Sequence, residues 1–215
     1  EVDIPDIDGK SLADGINSYF IKKYGKAKKI SAVNDTSACL IGSVSNTDLI
    51  NNGACIGMVL GTGFNICYKE HMKNVKGFEN SDKSDIVITE SGFFDKIKRG
   101  AFDIKIDNES IIPGDHVYEK MISGKYLPII YNECMKKALE DGYIASDEFI
   151  EEHADGRYLN HLLSIQPQDE EAEFAIEICS DICRRSAMLA AANVIGAVLV
   201  SVTDNKTAVI VPEGS

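Results

Sequence analysis

The sequence predicts an α/β fold, because short apolar runs typical of strands occur between longer segments with helical periodicity. Of its 215 residues, 44% are hydrophobic, which is enough to build the core of one large domain or two small ones. The strand-like runs are residues 29–33, 54–60, 65–68, 85–89 and 207–211. We therefore expect a sheet with helices packed against it.

Helical spacing of apolar residues marks most of the remaining chain. The predicted helices are residues 12–24, 117–138, 146–148, 159–163 and 169–202. The second of these should bend or break between Gly124 and Pro128, since both residues disfavour a continuous helix. The last helix is apolar all round near residues 187–202, so we expect that stretch to be buried.

Charge and hydropathy exclude two classes of protein. A net charge of −12 argues against a nucleic-acid surface, because phosphate backbones need a basic stripe. No apolar run approaches the length that spans a bilayer, and the first residues show no secretory leader, so we expect a cytoplasmic protein. The six cysteines include no C-x-x-C pair and lie mostly in apolar segments, where reduced, buried thiols are expected.

Asp35 follows the first strand-like run, within the segment Asn34-Asp35-Thr36. Ligands of α/β folds bind at the carboxyl ends of strands, so a carboxylate at this position is a candidate for chemistry. The same residue types cap helices, and a helix over residues 37–43 would explain them equally well. Taken alone, the segment favours the capping role.

A glycine bend, Gly61-Thr62-Gly63, separates two predicted strands and indicates a β-hairpin. Glycine is common in hairpin turns because it tolerates a positive φ. Glycines also let backbone N–H groups approach a phosphate, to which Thr62 would add a hydroxyl donor. In so acidic a chain, a bound phosphate has to be held by local donors of this kind.

Two further acidic residues stand at the ends of predicted elements. Glu90 follows the strand predicted over residues 85–89 and precedes Ser91-Gly92. Glu119 lies in the first turn of a predicted helix, where a carboxylate also suits the helix dipole. A second strand followed by an acidic residue favours a ligand-binding site. An interaction with the helix dipole would instead give Glu119 a purely structural role.

Together these stretches resemble the large domain of the eukaryotic-type hexokinases and glucokinases. The similarity keeps the family's order through nearly the whole chain and is weakest at residues 71–84 and 141–167. The matching residues are Ile4-Pro5-Asp6, Asp8-Gly9, Val33-Asn34-Asp35-Thr36, Gly57, residues 60–63, Asn65, Cys67-Tyr68, Thr89-Glu90, Gly92, Pro113-Gly114, residues 118–127, residues 184–187 and Gly214-Ser215.

The resemblance implies an actin-like ATPase or ribonuclease H-like fold, in which two lobes close over a sugar and a nucleotide. Residues 1–215 would be the large, C-terminal domain, with a mixed sheet and packed helices, without most of the small domain and without the C-terminal end. The intact protein would be an ATP-dependent hexokinase of glycolysis, which phosphorylates the 6-hydroxyl of a hexose such as glucose.

The resemblance also implies roles for single residues. Asp35 would be the base that accepts the proton of the sugar hydroxyl as that oxygen attacks the γ-phosphate. The other sugar contacts would be Asn34, Asn65, Glu90 and Glu119. The nucleotide contacts would be Gly61, Thr62 and Gly63 at the phosphates, with Gly214 and Ser215 near the adenosine.

Phosphoryl transfer suits these residue types. Positioning and charge stabilisation supply most of the catalysis. Asn and Glu side chains can position a sugar, because hydroxyl groups both donate and accept hydrogen bonds. A general base contributes typically about 10²–10⁴-fold. Magnesium is expected to arrive with ATP, without an all-protein metal site.

The chain departs from the family pattern at several positions. Ser91 stands where Trp or Tyr is common, Ile88 where Asn is common, and Ser37-Ala38-Cys39 replaces a stretch with glycine. Asp115-His116 stands where a glutamine contacts the sugar, so His116 either replaces that contact or faces solvent.

These departures, and the missing small domain, keep other functions open. Without the small domain to complete the closed site, the chain alone should be nearly inactive. A non-catalytic sugar-binding or regulatory relative is the alternative hypothesis. Another actin-like ATPase, related to acetate kinase or to the chaperones, is the third.

Overall fold

The computed structural model describes residues 9–44, 54–201 and 207–214. Its four strands are β1 (Ala54–Leu60), β2 (Phe64–His71), β3 (Ser84–Ile88) and β4 (Ala208–Glu213). They form one sheet in the order β3-β2-β1-β4, in which the first three strands pair antiparallel and β4 joins β1 in parallel. The mixed sheet confirms the α/β prediction.

Seven α-helices surround this sheet in the described part of the chain. They are α1 (Leu12–Tyr24), α2 (Asp35–Val44), α3 (Ala101–Glu109), α4 (Val117–Ile122), α5 (Leu127–Glu140), α6 (Gly156–Ser164) and α7 (Glu170–Ser201). Two short 3₁₀ helices, Met72–Asn74 and Ser91–Phe93, lie in the connections.

Helices cover both faces of the sheet. On one face α2 packs over the strands, where Leu40, Cys55 and Cys67 are buried together. On the other face α4 and the second half of α7 bury Ile56 and Ile66. Side chains of a strand alternate between its two faces. The odd-numbered residues of β2 therefore face α2, and the even-numbered ones face α4 and α7.

A second core lies beside the sheet, where α3, α5, α6 and the first half of α7 meet. Its centre is formed by Tyr131 and Met135, which are completely buried. Burial of one such side chain contributes about 1.5–3 kcal/mol. The helices of this core hold α4 and the following segment in place at one end of the sheet.

Local sequence signals explain most helix boundaries. α1 begins at Ser11, whose hydroxyl caps the N–H of Asp14, and ends at Gly25, which adopts a φ of 66°. Pro128 lies in the first turn of α5, where a missing N–H costs nothing. The segment predicted over residues 117–138 is therefore two helices, α4 and α5, as expected.

Two predicted elements are wrong. Residues 29–33 form no strand, and Val33 is 59% exposed. A strand buried on both faces needs hydrogen-bonded neighbours, and no described strand pairs with this segment. Residues 146–148 form no helix, because the chain turns there and presents the Phe149 carbonyl to the hydroxyl groups of Tyr131 and Tyr158.

The exposure of α7 also corrects the prediction. Ala190 and Val194 are buried, whereas Met188 and Ile195 on the other side are exposed, since no described element covers that side. α7 is the one described helix that is long and apolar enough to cross a bilayer, contrary to the expectation from the sequence. Its buried side packs into both cores, which is how a core helix behaves.

Some predictions fall outside the described residues. They concern Ile4-Pro5-Asp6, Asp8, the loop at residues 46–53 and Ser215.

Candidate active site

The bend between β1 and β2 is the centre of the candidate site. The N–H of Gly61 donates to the carbonyl of Gly63 at 2.9 Å, and the carbonyl of Gly61 accepts the N–H of Gly124 at 2.7 Å. The second bond ties the bend to the segment between α4 and α5. Neither Gly61 nor Gly63 has a positive φ. Backbone conformation therefore does not explain why glycine occupies these positions.

Close approach of Glu119 explains Gly63. A Cβ at Gly63 would lie 2.7 Å from Glu119 Oε2, which is too close for a real contact. The same oxygen accepts the N–H of Phe64 at 3.0 Å. Gly92 packs against the stem of this side chain, because a Cβ there would lie 3.3 Å from Glu119 Cβ. The two glycines make room for a carboxylate at the end of the sheet.

Asn65 joins the same group through its side-chain oxygen. Its Oδ1 accepts the N–H of Ile66 at 2.8 Å and the N–H of Ser91 at 3.3 Å. Ser91 follows Glu90, whose φ of 49° is uncommon for a residue other than glycine and marks a tight turn. The structure thus brings Asn65, Glu119 and the backbone next to Glu90 together, while the Glu90 side chain is exposed.

Asp35 is the first residue of α2, and its side chain is exposed. The side-chain oxygen of Asn34 accepts the N–H of Thr36 at 3.0 Å, and the Asn34 carbonyl accepts the N–H of Ala38 at 2.9 Å. Asn34 therefore caps the helix. The capping position predicted for Asp35 belongs to its neighbour. The Asp35 carboxylate lies at the surface with two local contacts, since its Oδ1 accepts the N–H of Thr36 at 2.7 Å and the Thr36 hydroxyl group at 3.3 Å.

Thr36 fixes this helix end on the sheet. It is fully buried, and its carbonyl accepts the Cys67 thiol at 3.3 Å. A Cβ at Gly57 would lie 2.8 Å from the same carbonyl. By strand alternation Asn65 shares the face of Cys67. Asp35 and Asn65 thus belong to the α2 face, whereas Glu119 reaches the strand ends from the opposite face.

A cavity of about 790 Å³ opens beside the bend. Its lining includes Gly61, Thr62, Gly124 and two cationic residues, Lys125 and Arg157. It also includes Asp155, which caps α6 by accepting the N–H groups of Arg157 and Tyr158 at 2.9 and 3.0 Å and which pairs with the Arg157 side chain at 2.8 Å. The lining therefore carries two cations against one carboxylate, in a chain whose net charge is −12.

Gly214 reaches the same bend from the end of β4. A Cβ at this position would overlap the Leu60 carbonyl, and it would lie 3.4 Å from the N–H nitrogen of Gly61. Only glycine fits at this approach. The structure therefore places Gly214 directly beside Gly61. Both residues are predicted to contact the nucleotide.

Lys120, the neighbour of Glu119, is a buried cation that no local pattern in the sequence singles out. Its Nζ donates to Asp107 Oδ1 at 2.7 Å, to Ser110 Oγ at 2.8 Å and to the Ile112 carbonyl at 2.7 Å. These bonds join α3, the loop after it and α4. They hold the helix that carries Glu119.

Asp107 is the centre of this network. Burial alone would raise the pKa of its carboxyl group, but the hydrogen bonds from Lys120, from the N–H of Gly114 and from Arg99 lower the pKa overall. Arg99 donates to the second carboxylate oxygen at 2.8 Å. The carboxylate is therefore charged and fully engaged at neutral pH.

Arg185, in a segment that matches the family pattern, has a structural role. Its guanidinium group binds Asp103 with two hydrogen bonds of 2.9 Å. It also donates to the carbonyl of Met121 at 3.3 Å. These hydrogen bonds connect α7 to α3 and to the end of α4.

His116 begins α4 with a φ of 47°. Its ring centroid lies 3.9 Å from that of Phe93, and its Nδ1 lies 3.2 Å from Asp115 Oδ1 without hydrogen-bond geometry. The ring shares a cavity of about 610 Å³ with Glu119. The sequence leaves open whether His116 replaces a sugar contact or faces solvent, and its position in this cavity favours a contact within the site.

A family model described as hexokinase matches residues 55–215 of the chain. Human Hexokinase-1 is 28% identical over 214 residues, an alignment that covers 86% of this chain and 23% of the human protein. The Hexokinase-like 1 protein of Arabidopsis thaliana is 27% identical over 216 residues and is covered over 43% of its length. The chain therefore spans less than half the length of these relatives.

Solved structures show the same fold. The hexokinase from Schistosoma mansoni, determined in complex with glucose, superposes with a TM-score of 0.73 and 21% sequence identity. The superposition covers 98% of this chain and 53% of that one. The predicted actin-like fold is thereby confirmed.

Proposed function

Because the chain belongs to the hexokinase family, we propose that it is most of the large domain of an ATP-dependent sugar kinase. In the intact protein, ATP would phosphorylate the 6-hydroxyl of a hexose such as glucose, the sugar bound in the Schistosoma mansoni structure. One observation carries the proposal: Glu119 and Asn65 are fixed at the same bend that opens onto a cavity of nucleotide size.

Bonding at Glu119 and Asn65 suits a sugar. A carboxylate offers about four acceptor positions, so Glu119 can hold the N–H of Phe64 and also accept from a hydroxyl group. The Asn65 oxygen is occupied by two backbone N–H groups, which orients its amide nitrogen, a double donor, to the other side. Glu90 and Asn34 would complete the set of sugar contacts.

Asp35 would act as the general base. Its carboxylate is exposed at the start of α2, and Asn34 relieves it of the capping role. A base must reach the hydroxyl whose proton it accepts, and closure of a second lobe would bring the sugar against this position. The chain alone should therefore bind sugar weakly and turn over poorly.

The cavity beside the bend supports nucleotide binding. Gly61, Thr62 and Gly63 would face the phosphates, Lys125 would add positive charge, and Gly214 with Ser215 would contact the adenosine. The space of about 790 Å³ suits a nucleotide-sized ligand. Magnesium would come bound to ATP and would neutralise phosphate charge when present.

The test is glucose phosphorylation by the intact protein with ATP and magnesium, in a coupled assay. Asp35→Ala should lower the rate by about 10²–10⁴-fold, the usual contribution of a base. Asp85→Ala is the matched control, since Asp85 is also an exposed aspartate that accepts the next N–H. Activity that survives Asp35→Ala would remove Asp35 from the role of base.

A sugar-binding regulator without turnover is the second candidate. Ser91, Ile88 and His116 favour it, because they replace residues that are common in the family. Glucose binding measured by calorimetry, together with no phosphorylation by the intact protein, would support the regulator over the kinase.

A further inference from the structure

A cavity of about 740 Å³ lies between the sheet and the second half of α7, on the face opposite α2. Its walls are mainly apolar and include Ile66 from β2, Phe94 from the connection after β3, and Leu189 and Ala197 from α7. Small-molecule sites typically have volumes of about 300–1,000 Å³ and apolar walls. In size and lining this cavity resembles such sites.

The cavity has a polar patch on one wall. Ser91 is 5% exposed, and its hydroxyl donates to Asn193 Oδ1 at 3.1 Å and contacts the hydroxyl of Thr89. Tyr118 forms a neighbouring aromatic wall, with its hydroxyl donating to the Leu189 carbonyl at 2.6 Å. Because a hydroxyl oxygen has two lone pairs, Ser91 can also accept a bond from a ligand.

Small side chains create the space. Ser91 stands where the family commonly has Trp or Tyr, and the chain contains no Trp at all. On the α7 side, a Cβ at Gly196 would meet nothing within 4 Å. The cavity therefore has the place and lining expected for a large aromatic ring that this chain does not supply.

We propose that this cavity binds a small planar aromatic molecule that carries one N–H or O–H donor. The ring would lie among Tyr118, Phe94 and the apolar residues of α7, since aromatic rings favour edge or offset contacts. The donor would bond to the Ser91 hydroxyl. The proposal depends on the cavity alone and not on the sugar kinase function, so the two can fail separately.

Indole is the probe, because its ring and single N–H match this description. Titration of the chain with indole should give saturable binding with one site per chain, measured by calorimetry. The emission of indole should shift to shorter wavelength on transfer to an apolar site. No tryptophan signal interferes with this measurement.

Two variants locate the site. Ser91→Trp and Gly196→Leu each place side-chain volume in the cavity, and each should weaken indole binding by at least about tenfold. The emission of Ser91→Trp should itself be that of a buried indole. Gly15→Leu is the matched control, because it also adds a side chain to a helix where a Cβ meets nothing within 4 Å. It should bind indole as the unmodified chain does.

The outcomes are decisive even if one of the two variants does not fold, because the other then tests the location in the same way. Circular dichroism shows that each tested variant is folded. Absence of saturable binding to the folded, unmodified chain overturns the proposal. Binding that is unchanged in the folded Gly196→Leu variant also overturns it, since indole would then occupy another place.

Discussion

Three glycines of the candidate site lie close to atoms that are distant along the chain, and none of the three has a positive φ. Gly63 makes room for the Glu119 carboxylate, Gly92 for its stem, and Gly214 for the Leu60 carbonyl. Each contact joins residues that are distant along the chain. A glycine next to a strand indicates a turn from sequence alone, but its distant partner becomes visible only in the folded structure.

Gly63→Ala tests whether close approach of Glu119 is the constraint. The added methyl group should displace the Glu119 carboxylate from the N–H of Phe64 and lower the free energy of unfolding by about 0.5–1.5 kcal/mol, the net contribution of one hydrogen bond. Urea unfolding of Gly63→Ala, of Glu119→Ala and of the double variant would measure it. The cost of Gly63→Ala should largely disappear when Glu119 is already alanine. An equal cost in both backgrounds would show that another contact excludes the side chain.

Local sequence signals marked candidate site residues but left their roles open. The segment with Asn34 and Asp35 was recognisable as either a cap or a site, and the structure divides the two between neighbours: Asn34 caps, and Asp35 is left exposed. Propensities cannot separate two adjacent residues that are both good caps. The catalytic role of Asp35 stays a prediction.

Helix α4 owes its position to a buried ion pair. Lys120 and Asp107 are each 3% exposed, and their bonds connect α4 to α3 and to the loop between them. Removing Lys120 takes away its three hydrogen bonds and leaves Asp107 buried with only Arg99 and the Gly114 N–H as partners. Glu119, one residue away, depends on this support.

Lys120→Met should lower the free energy of unfolding at pH 7 by about 3–5 kcal/mol. In the unmodified chain the pKa of Asp107 is lowered below its usual 3.8. The stability that the charged carboxylate contributes is therefore present above pH 3.8 and is lost as pH falls through the pKa of the folded state. In Lys120→Met, Asp107 loses the lysine that lowers its pKa most and keeps only Arg99 and Gly114, so its pKa rises relative to the unmodified chain. Protonation of Asp107 then stabilises the variant. The stability gap between the two proteins should narrow as pH falls below about 4.

Urea unfolding between pH 7 and pH 3 measures this gap. Lys137→Met is the control, since the Lys137–Asp141 pair is exposed on α5 and should contribute little to stability. A gap that does not change with pH would mean that lost packing of the lysine stem, and not charge, causes the instability.

Elements with strong periodicity were predicted correctly, and elements that depend on distant partners were not. Apolar spacing and turn residues predict the hairpin of β1 and β2, and they also predict helices α5 and α7. Residues 29–33 are as apolar as a strand, but a strand also needs a paired neighbour. α3 escaped prediction because it is polar on its exposed side and carries buried Asp103 and Asp107, which pair with Arg185 and Lys120.

Two apolar faces remain exposed over the described residues. α1 buries none of its side chains, although Leu12, Tyr19 and Tyr24 lie along it. The outer side of α7 exposes Ile195 and Leu199, at 56% and 76%. Contiguous exposed apolar patches promote association.

The chain alone should therefore self-associate. Paired changes Ile195→Lys and Leu199→Lys should reduce the associated fraction in sedimentation velocity and leave the unfolding free energy within about 0.5 kcal/mol, as surface substitutions do. Ile111→Lys is the control, because Ile111 is 99% exposed but lies in a loop outside both faces. A monomeric chain at all tested concentrations would contradict this expectation.

The contact of Gly214 with Leu60 constrains how the protein is made. The glycine bend leaves the ribosome before β4, which seats Gly214 against it and is synthesised about 150 residues later, and domains acquire such non-local pairings late. A nascent chain stalled before β4 should display the bend without its final neighbour. The appearance of residue 214 outside the ribosome would then be the step at which this end of the sheet first becomes complete.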